Sequence, residues 1–145
     1  MKKMLTGAAM LLMLGGTSFA EGWTTSWDTA VAESKATGKP ILVDFTGSNW
    51  CGWCKKLKAE VFDKAEFKTW AKSHVVLLEA DFPEPNNLAP ALKAQNEKLS
   101  QKYAIEGYPT ILFVNAAGEE LGRYGYDEGG PAVWTKNAET KMAKK

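Results

Sequence analysis

Apolar and polar positions follow two patterns along the chain, one with the period of a helix and one typical of buried strands. Residues 27–37 follow Ser26, a preferred N-cap, and carry apolar side chains at helical spacing until Gly38 and Pro40 end the pattern. The apolar run Ile-Leu-Val-Asp-Phe at 41–45 is typical of a strand buried on both faces of a parallel sheet. This part of the chain therefore predicts a helix followed by a buried strand.

The same alternation continues to the end of the chain. After a loop at 46–49 the sequence predicts a helix through 55–61, and then a second helix at 64–73 with Asp63 as its N-cap and Glu66 completing a capping box. The remaining predicted elements are a strand at 75–80, a proline-rich loop at 81–90, a helix at 91–103, a strand at 110–114, a turn at 115–118, its antiparallel partner at 119–126 and a last helix opened by the glycines and proline at 129–131. This order predicts a single α/β domain with a mixed central sheet and helices on both faces.

The first twenty residues have a different pattern, that of a cleavable secretory signal. A basic start precedes an apolar run at 5–14, and Ser18 and Ala20 are the small residues that a signal peptidase recognises. The apolar run is too short for a comfortable membrane span. We therefore predict a signal peptide at 1–20 and one domain at 21–145, exported to the periplasm or secreted, with no membrane span after cleavage.

Charge excludes some classes of partner. The chain has 18 basic and 17 acidic residues, and cleavage after Ala20 would remove Lys2 and Lys3 from the 18, leaving 16. A net charge near zero gives no reason to expect nucleic acid or an anionic membrane surface as a partner.

Both cysteines of the chain fall in one CxxC motif, Trp50-Cys51-Gly52-Trp53-Cys54. Cys51 precedes the predicted helix, where unpaired backbone N–H groups and the helix dipole favour a thiolate. Cys54 lies one turn further on, close enough to attack a mixed disulfide at Cys51 and release the partner's thiol. We therefore expect a redox-active pair in which Cys51 is the more exposed and more acidic thiol.

Three other interpretations of the motif remain open. A structural zinc needs four ligands, and the rest of the chain offers only His74, which we interpret as a helix-end residue. A structural disulfide across so short a loop stabilises little. Capture of a soft ion such as Cu(I) by the two thiols is a weaker option. Disulfide exchange needs no bound cofactor, and we predict neither a cofactor nor a metal site.

Four segments in order resemble the thioredoxin-like superfamily. They are the strand at 41–45, the cysteine motif with its two lysines at 50–56, Gly-Tyr-Pro-Thr at 107–110 and the hairpin at Gly118. The stretch Thr-Gly-Ser-Asn-Trp-Cys at 46–51 is most similar to exported members related to the C-terminal domain of the periplasmic transmembrane disulfide reductases. The resemblance implies a thioredoxin-like fold and thiol-disulfide oxidoreductase activity, with protein disulfides as substrates and a redox partner protein.

The resemblance also implies a surface that binds the substrate. Pro109 would be a cis-proline opposite the cysteines and would turn the Tyr108 backbone toward them, where it can pair with an extended substrate segment. From the residues alone, a trans proline starting a strand is the alternative. Trp50 flanks the motif and could serve packing only, whereas an exposed Trp53 would suit partner docking. The predicted substrate-binding residues are Trp50, Gly52, Trp53, Tyr108 and Pro109.

Asp44 interrupts the apolar strand, and burial there should raise its pKa. The resemblance places it behind the cysteines as the carboxylate that accepts or delivers the proton of the resolving thiol, and so as a catalytic residue beside Cys51 and Cys54. Two departures from thioredoxin bear on that role: the spacing from Asp44 to Cys51 is one residue longer, and Leu77 stands where thioredoxin has a lysine. The alternative is an aspartate that caps the next loop.

Two classes of function therefore stay open. Strong oxidants of this family often have a histidine between the cysteines, and the Gly52-Trp53 pair supplies no such charge, which favours a reductase or isomerase. The second class is a binding module that uses the same scaffold to hold a peptide or another subunit without turnover.

Overall fold

The computed structural model describes residues 22–143, so the predicted signal peptide at 1–20 lies outside the described residues. Their strands are β1 (Trp23–Thr24), β2 (Ile41–Thr46), β3 (Val76–Asp81), β4 (Thr110–Val114) and β5 (Glu120–Tyr124). Their α-helices are α1 (Trp27–Thr37), α2 (Gly52–Leu57), α3 (Ala65–His74), α4 (Pro90–Lys102) and α5 (Gly130–Ala143), and a π-helical turn, Lys58–Phe62, follows α2 directly.

The strands form one mixed sheet in the order β1-β3-β2-β4-β5. β3 runs parallel to both β1 and β2, whereas β4 is antiparallel to β2 and β5 is antiparallel to β4. All six residues of β2 are buried, as expected for a central strand with both faces covered. The prediction of an α/β domain with a mixed sheet is confirmed.

Alternate residues of the central strands contribute to two cores on opposite faces of the sheet. Leu42 packs in a cluster with side chains of α2, α3 and α5, among them Phe67 and Trp134. Val43 packs in the other cluster with side chains of α1 and α4, among them Leu99. The side-chain alternation of a strand thus gives each face its own apolar layer.

Local signals predicted α1 correctly. The Ser26 hydroxyl accepts a hydrogen bond from the Thr29 backbone N–H at 3.2 Å, as an N-cap does. Gly38 ends the helix with a φ of 74°, in the left-handed region that glycine adopts without steric cost.

The start of α3 differs from its prediction. Lys64, with extended backbone angles, is the N-cap, and no side chain caps this helix. Asp63 instead ends the π-helical turn, and its carboxylate accepts a hydrogen bond from the Lys58 ammonium at 2.7 Å. The predicted capping box with Glu66 is therefore wrong, because the ion pair at the end of the preceding turn engages Asp63.

Trp134 of α5 offers a test of how much the first core contributes to stability. Its side chain is fully buried, and its indole N–H donates to the Gly125 carbonyl at 2.9 Å. We expect Trp134→Ala to lower the free energy of unfolding by about 3–5 kcal/mol in urea denaturation, because it leaves a cavity and an unpaired carbonyl. Val133→Ala, at a neighbouring side chain that is 43% exposed, should change it by less than about 0.5 kcal/mol. Similar losses in both variants would contradict this account.

Candidate active site

The two cysteines form a disulfide at the start of α2, with their Cα atoms 5.2 Å apart. Cys51 is the N-cap of α2, and its Sγ accepts a hydrogen bond from the Cys54 backbone N–H at 3.2 Å. A sulfur in the N-cap position takes the place of the usual hydroxyl or carboxylate oxygen. The same N–H group would stabilise a thiolate at Cys51 once the disulfide is reduced.

Both cysteines are buried to a similar degree. The exposed fraction is 6% for Cys51 and 5% for Cys54, so the expected difference in exposure is absent in this disulfide form. What distinguishes the two residues is the hydrogen bond, because the Cys51 sulfur accepts it and the Cys54 backbone donates it.

Asp44 lies in the middle of β2 with 8% of its surface exposed. Its Oδ1 atom is buried and accepts no hydrogen bond from the described residues. The interpretation of Asp44 as a loop cap finds no support in this geometry. Burial raises the pKa of Asp44 well above its ordinary value, and the nearby carboxylates of Glu79 and Asp81 raise it further.

The residue paired with Asp44 across the two parallel strands is Glu79, whereas Leu77 pairs with Leu42. The residue directly opposite Asp44 is thus Glu79, and Leu77 lies two residues earlier on the same face of β3. Burial raises the pKa of the partly buried Glu79 as well, and the charge of Asp81 adds to that effect, while Lys58 opposes it. A second carboxyl group thus stands directly opposite Asp44.

Side-chain hydrogen bonds connect the loop before Cys51 to the last residue of β3 and to the loop that follows it. The backbone N–H and the hydroxyl of Ser48 both donate to the Asp81 carboxylate, at 2.9 and 2.5 Å. The Asn49 amide donates to the Glu84 carbonyl at 2.8 Å and accepts from the Glu84 N–H at 3.0 Å. These four bonds position the segment that leads directly to Cys51.

Trp50 connects this loop to the segment that carries Tyr108. Its indole N–H donates to the Phe82 carbonyl at 2.7 Å, and its ring meets the Tyr108 ring edge-on with centroids 5.7 Å apart. The Tyr108-Pro109 peptide bond is cis. A Cβ at Gly47 would collide with the Trp50 ring, so this turn has room only for glycine. Trp50 is both a packing residue of the loop and 47% exposed.

Trp53 lies beside an aromatic residue that the sequence did not single out. The Trp53 side chain is 57% exposed, and its ring centroid lies 5.1 Å from that of Tyr126, in the segment after β5. The Lys56 ammonium lies 5.1 Å from the Trp53 ring and 5.0 Å from the Tyr126 ring. Gly52 is exposed, with open space around it. No signal in the sequence links residues 73 positions apart, and only the fold brings Tyr126 to the motif.

His74 is the last residue of α3 and lies apart from these groups. Its ring stacks on Trp70 with centroids 5.0 Å apart, and its Nε2 atom is 3.4 Å from a carboxylate oxygen of Glu139. Within residues 22–143, no group of three or more His, Cys, Asp or Glu side chains is arranged to hold a metal ion.

The fold and the CxxC disulfide together define a class of protein, the thiol-disulfide oxidoreductases. Residues 27–129 match the model of the thioredoxin-like domain family, and the chain belongs to that family. No helix in the described part of the chain is long and apolar enough to cross a membrane.

Named relatives are found in the Dsb proteins of bacteria. The chain is 34% identical to the disulfide bond reductase DsbH of Chlamydia pneumoniae over 117 residues, which are 81% of this chain and 70% of that protein. A solved structure of a DsbH oxidoreductase superposes with a TM-score of 0.79 at 33% identity, covering 83% of each chain. The thiol:disulfide interchange protein DsbD of Ralstonia nicotianae is 32% identical over 93 residues, which are 64% of this chain and only 14% of DsbD.

The raised pKa of Asp44 predicts a pH dependence of stability. The unfolded chain loses the Asp44 proton near the ordinary pKa of 3.8, whereas the native protein keeps it to higher pH. Native protein then binds more protons, so the free energy of unfolding falls as pH rises through that window. In urea denaturation of the oxidised protein, we expect Asp44→Asn to reduce this fall without abolishing it, because the pKa of Glu79 is raised too. Asp28→Asn, at an exposed position of α1, should leave it unchanged, and an unaltered pH dependence in Asp44→Asn would refute the assignment.

The paired hydrogen bonds of Asn49 predict local protection of the loop after β3. Asn49→Ala removes both, so we expect the Glu84 amide to exchange with solvent about tenfold faster, since hydrogen bonds contribute about 1 kcal/mol each. Asn87→Ala, at an exposed position of the same loop, is the control. Equal exchange of the Glu84 amide in the two variants would show that Asn49 does not hold the loop.

Proposed function

We propose that this protein is an exported thiol-disulfide oxidoreductase that reduces or isomerises disulfides of protein substrates. Cys51 is the nucleophile and Cys54 the resolving thiol. The observation that carries the proposal is the N-cap hydrogen bond, because a group that accepts an N–H bond at the start of a helix is stabilised as an anion. A thiolate at Cys51 is the form that attacks a disulfide.

The reaction proceeds from the dithiol form in two exchanges. The Cys51 thiolate attacks one sulfur of the substrate disulfide, forms a mixed disulfide with it and releases the other substrate sulfur as a thiolate, which takes up a proton. Cys54, as a thiolate, then attacks the Cys51 sulfur and releases the second substrate thiol. The substrate gains two electrons and two protons, and the protein is left with the Cys51-Cys54 disulfide. A redox partner protein with a dithiol returns it to the reduced form.

Asp44 is the proposed acceptor of the Cys54 proton. The resemblance places its carboxyl group behind the cysteines, and two observations support the role: a buried oxygen of this group accepts no hydrogen bond from the described residues, and burial raises its pKa. A general base works best when its pKa lies near the working pH. The Asp44 carboxylate would take the proton as Cys54 attacks and return it when the pair is reduced again.

The proposed substrate-binding residues are Trp50, Gly52, Trp53, Tyr108 and Pro109. Both tryptophans are exposed next to the disulfide, and the Trp50 ring contacts the Tyr108 ring. The backbone at a cis-proline in this family accepts an extended segment, which would pair there as an added strand.

Location and direction are the remaining parts of the proposal. The signal-like residues 1–20 support export of a domain at 21–145 to the periplasm or the medium. DsbH is named a disulfide bond reductase, which supports the reducing direction, and DsbD is named a thiol:disulfide interchange protein, which supports disulfide exchange.

Trapping the mixed disulfide tests this mechanism. Without a resolving thiol, the bond formed at Cys51 persists, so Cys54→Ala expressed with residues 1–20 intact should migrate on non-reducing gels as adducts that vanish with reductant. The Cys51→Ala and Cys54→Ala double variant should form none. The wild type should reduce insulin, and Cys51→Ala should lose the cysteine-dependent rate.

The alternative binding module gives the opposite result. Its partners would be held without covalent bonds and would dissociate in denaturant whichever cysteine is present. If Cys54→Ala forms no reductant-sensitive adduct and the wild type reduces no disulfide, the oxidoreductase proposal is wrong.

A further inference from the structure

We infer that Tyr126 is a positioning residue. It holds the side chains of Trp53 and Lys56 in place beside the reacting disulfide, where they contact the bound substrate polypeptide. The three residues form what we call the aromatic platform, and its substrate is a protein disulfide with an apolar side chain adjacent to the attacked cysteine. This inference rests on the proposed function and names the substrate class of the same site.

The platform brings together two segments that are far apart in sequence. Trp53 lies inside the CxxC motif and Lys56 three residues further along α2, so both project from the same side of the helix. Tyr126 follows β5, and its ring lies against the Trp53 ring at an interplanar angle of 45°. The Lys56 ammonium is about equally distant from the two rings, and cation–π attraction favours this position.

Tyr126 is fixed at both ends. Its hydroxyl donates to a carboxylate oxygen of Glu60 at 2.6 Å, and the other oxygen of Glu60 is 4.0 Å from the Lys56 ammonium. The backbone just before Tyr126 is held from the core, where the buried Trp134 donates to the Gly125 carbonyl. The Tyr126 ring is therefore held in place, and it packs against one side of a Trp53 side chain that is otherwise open to solvent.

The position of Trp53 between the cysteines determines what can cover it. A substrate bonded to the Cys51 sulfur must place the residues flanking its own cysteine within a few ångströms of this motif, because an extended chain advances only about 3.3 Å per residue. The Trp53 side chain is 57% exposed and its indole ring is largely apolar, so an apolar neighbour of the substrate cysteine gains by packing on it. A ring held in place loses less conformational freedom on binding, which makes the contact more favourable.

The test compares two disulfide-linked peptides that differ only in having leucine or serine next to the cysteine, with 2-hydroxyethyl disulfide as a substrate that has no such neighbour. We expect wild type to favour the leucine peptide about tenfold in kcat/KM, mainly through KM, as for one apolar side chain in a matching site. Tyr126→Ala should reduce that preference to about twofold. Its loss of kcat/KM on the leucine peptide should exceed its loss on 2-hydroxyethyl disulfide at least fivefold.

Two further variants separate this role from general damage. Tyr126→Phe keeps the ring and loses only the hydroxyl, with its interactions with Glu60 and Lys56, so it should retain most of the preference. Val133→Ala removes another exposed apolar side chain, on α5, and should behave as wild type. If Tyr126→Ala does not fold, Trp53→Ala is measured instead, and we expect it to abolish the preference for the leucine peptide.

The outcomes distinguish the inference from the proposed function. If wild type reduces both peptides equally, or if Tyr126→Ala keeps the tenfold preference or loses activity equally on all three disulfides, the platform does not select substrates and the oxidoreductase proposal still stands. If wild type reduces none of the three, both fail.

Discussion

The parallel pairing of β2 with β3 brings the carboxyl ends of both strands to the same edge of the sheet, and the active site is built on that edge. Thr46 pairs with Asp81 in the last register position, and the Phe82 N–H donates to the Thr46 carbonyl at 2.8 Å. The two loops that follow therefore start side by side. This proximity makes possible the bonds of Ser48 to the last residue of β3 and of Asn49 and Trp50 to the loop after it, and so determines where Cys51 lies.

The same pairing places carboxyl groups where they cost stability. Asp44 and Glu79 are register partners, and Asp81 lies on the same side of β3 two residues further on. A buried carboxyl without a hydrogen bond is unfavourable, more so when another carboxyl group faces it. Asp81 recovers some of this cost through its two hydrogen bonds from Ser48. An apolar residue at position 44 would suit the core better, which is why the carboxyl there indicates function.

How much of this could be predicted depended on the range of the interactions. The helix α1, the apolar strand β2 and the cysteine motif are specified by neighbours in sequence, and each was predicted within a residue or two. The two-residue strand β1 has no period of its own and exists only through its pairing with β3, so the sequence showed no sign of it. Asp63 satisfied a local helix-start signal, but the ion pair with Lys58 determined its place.

The site was predictable to the same extent. The cysteines and Asp44 stand out by residue type, whereas the neighbour of Asp44 depends on strand register. The resemblance drew attention to Leu77, whereas the register places Glu79, two residues further along β3, directly opposite Asp44. The contact between Trp53 and Tyr126 depends on the path of the segment after β5, which returns over α2. No pattern of residues in either segment predicts that path.

The carboxyl groups also bear on the direction of electron transfer. A positive charge near a CxxC pair stabilises the thiolate and makes the pair oxidising, whereas negative charge has the opposite effect and favours the disulfide. Here Asp81 is bonded to the loop that leads to Cys51, and Glu79 is paired with Asp44, with Lys58 as the opposing charge. In the proposed reaction, the N-cap bond would make Cys51 reactive, and the carboxylate of Asp81 would limit how far its thiolate is stabilised. A pair that is nucleophilic and yet gains by forming its own disulfide is suited to passing electrons to a substrate.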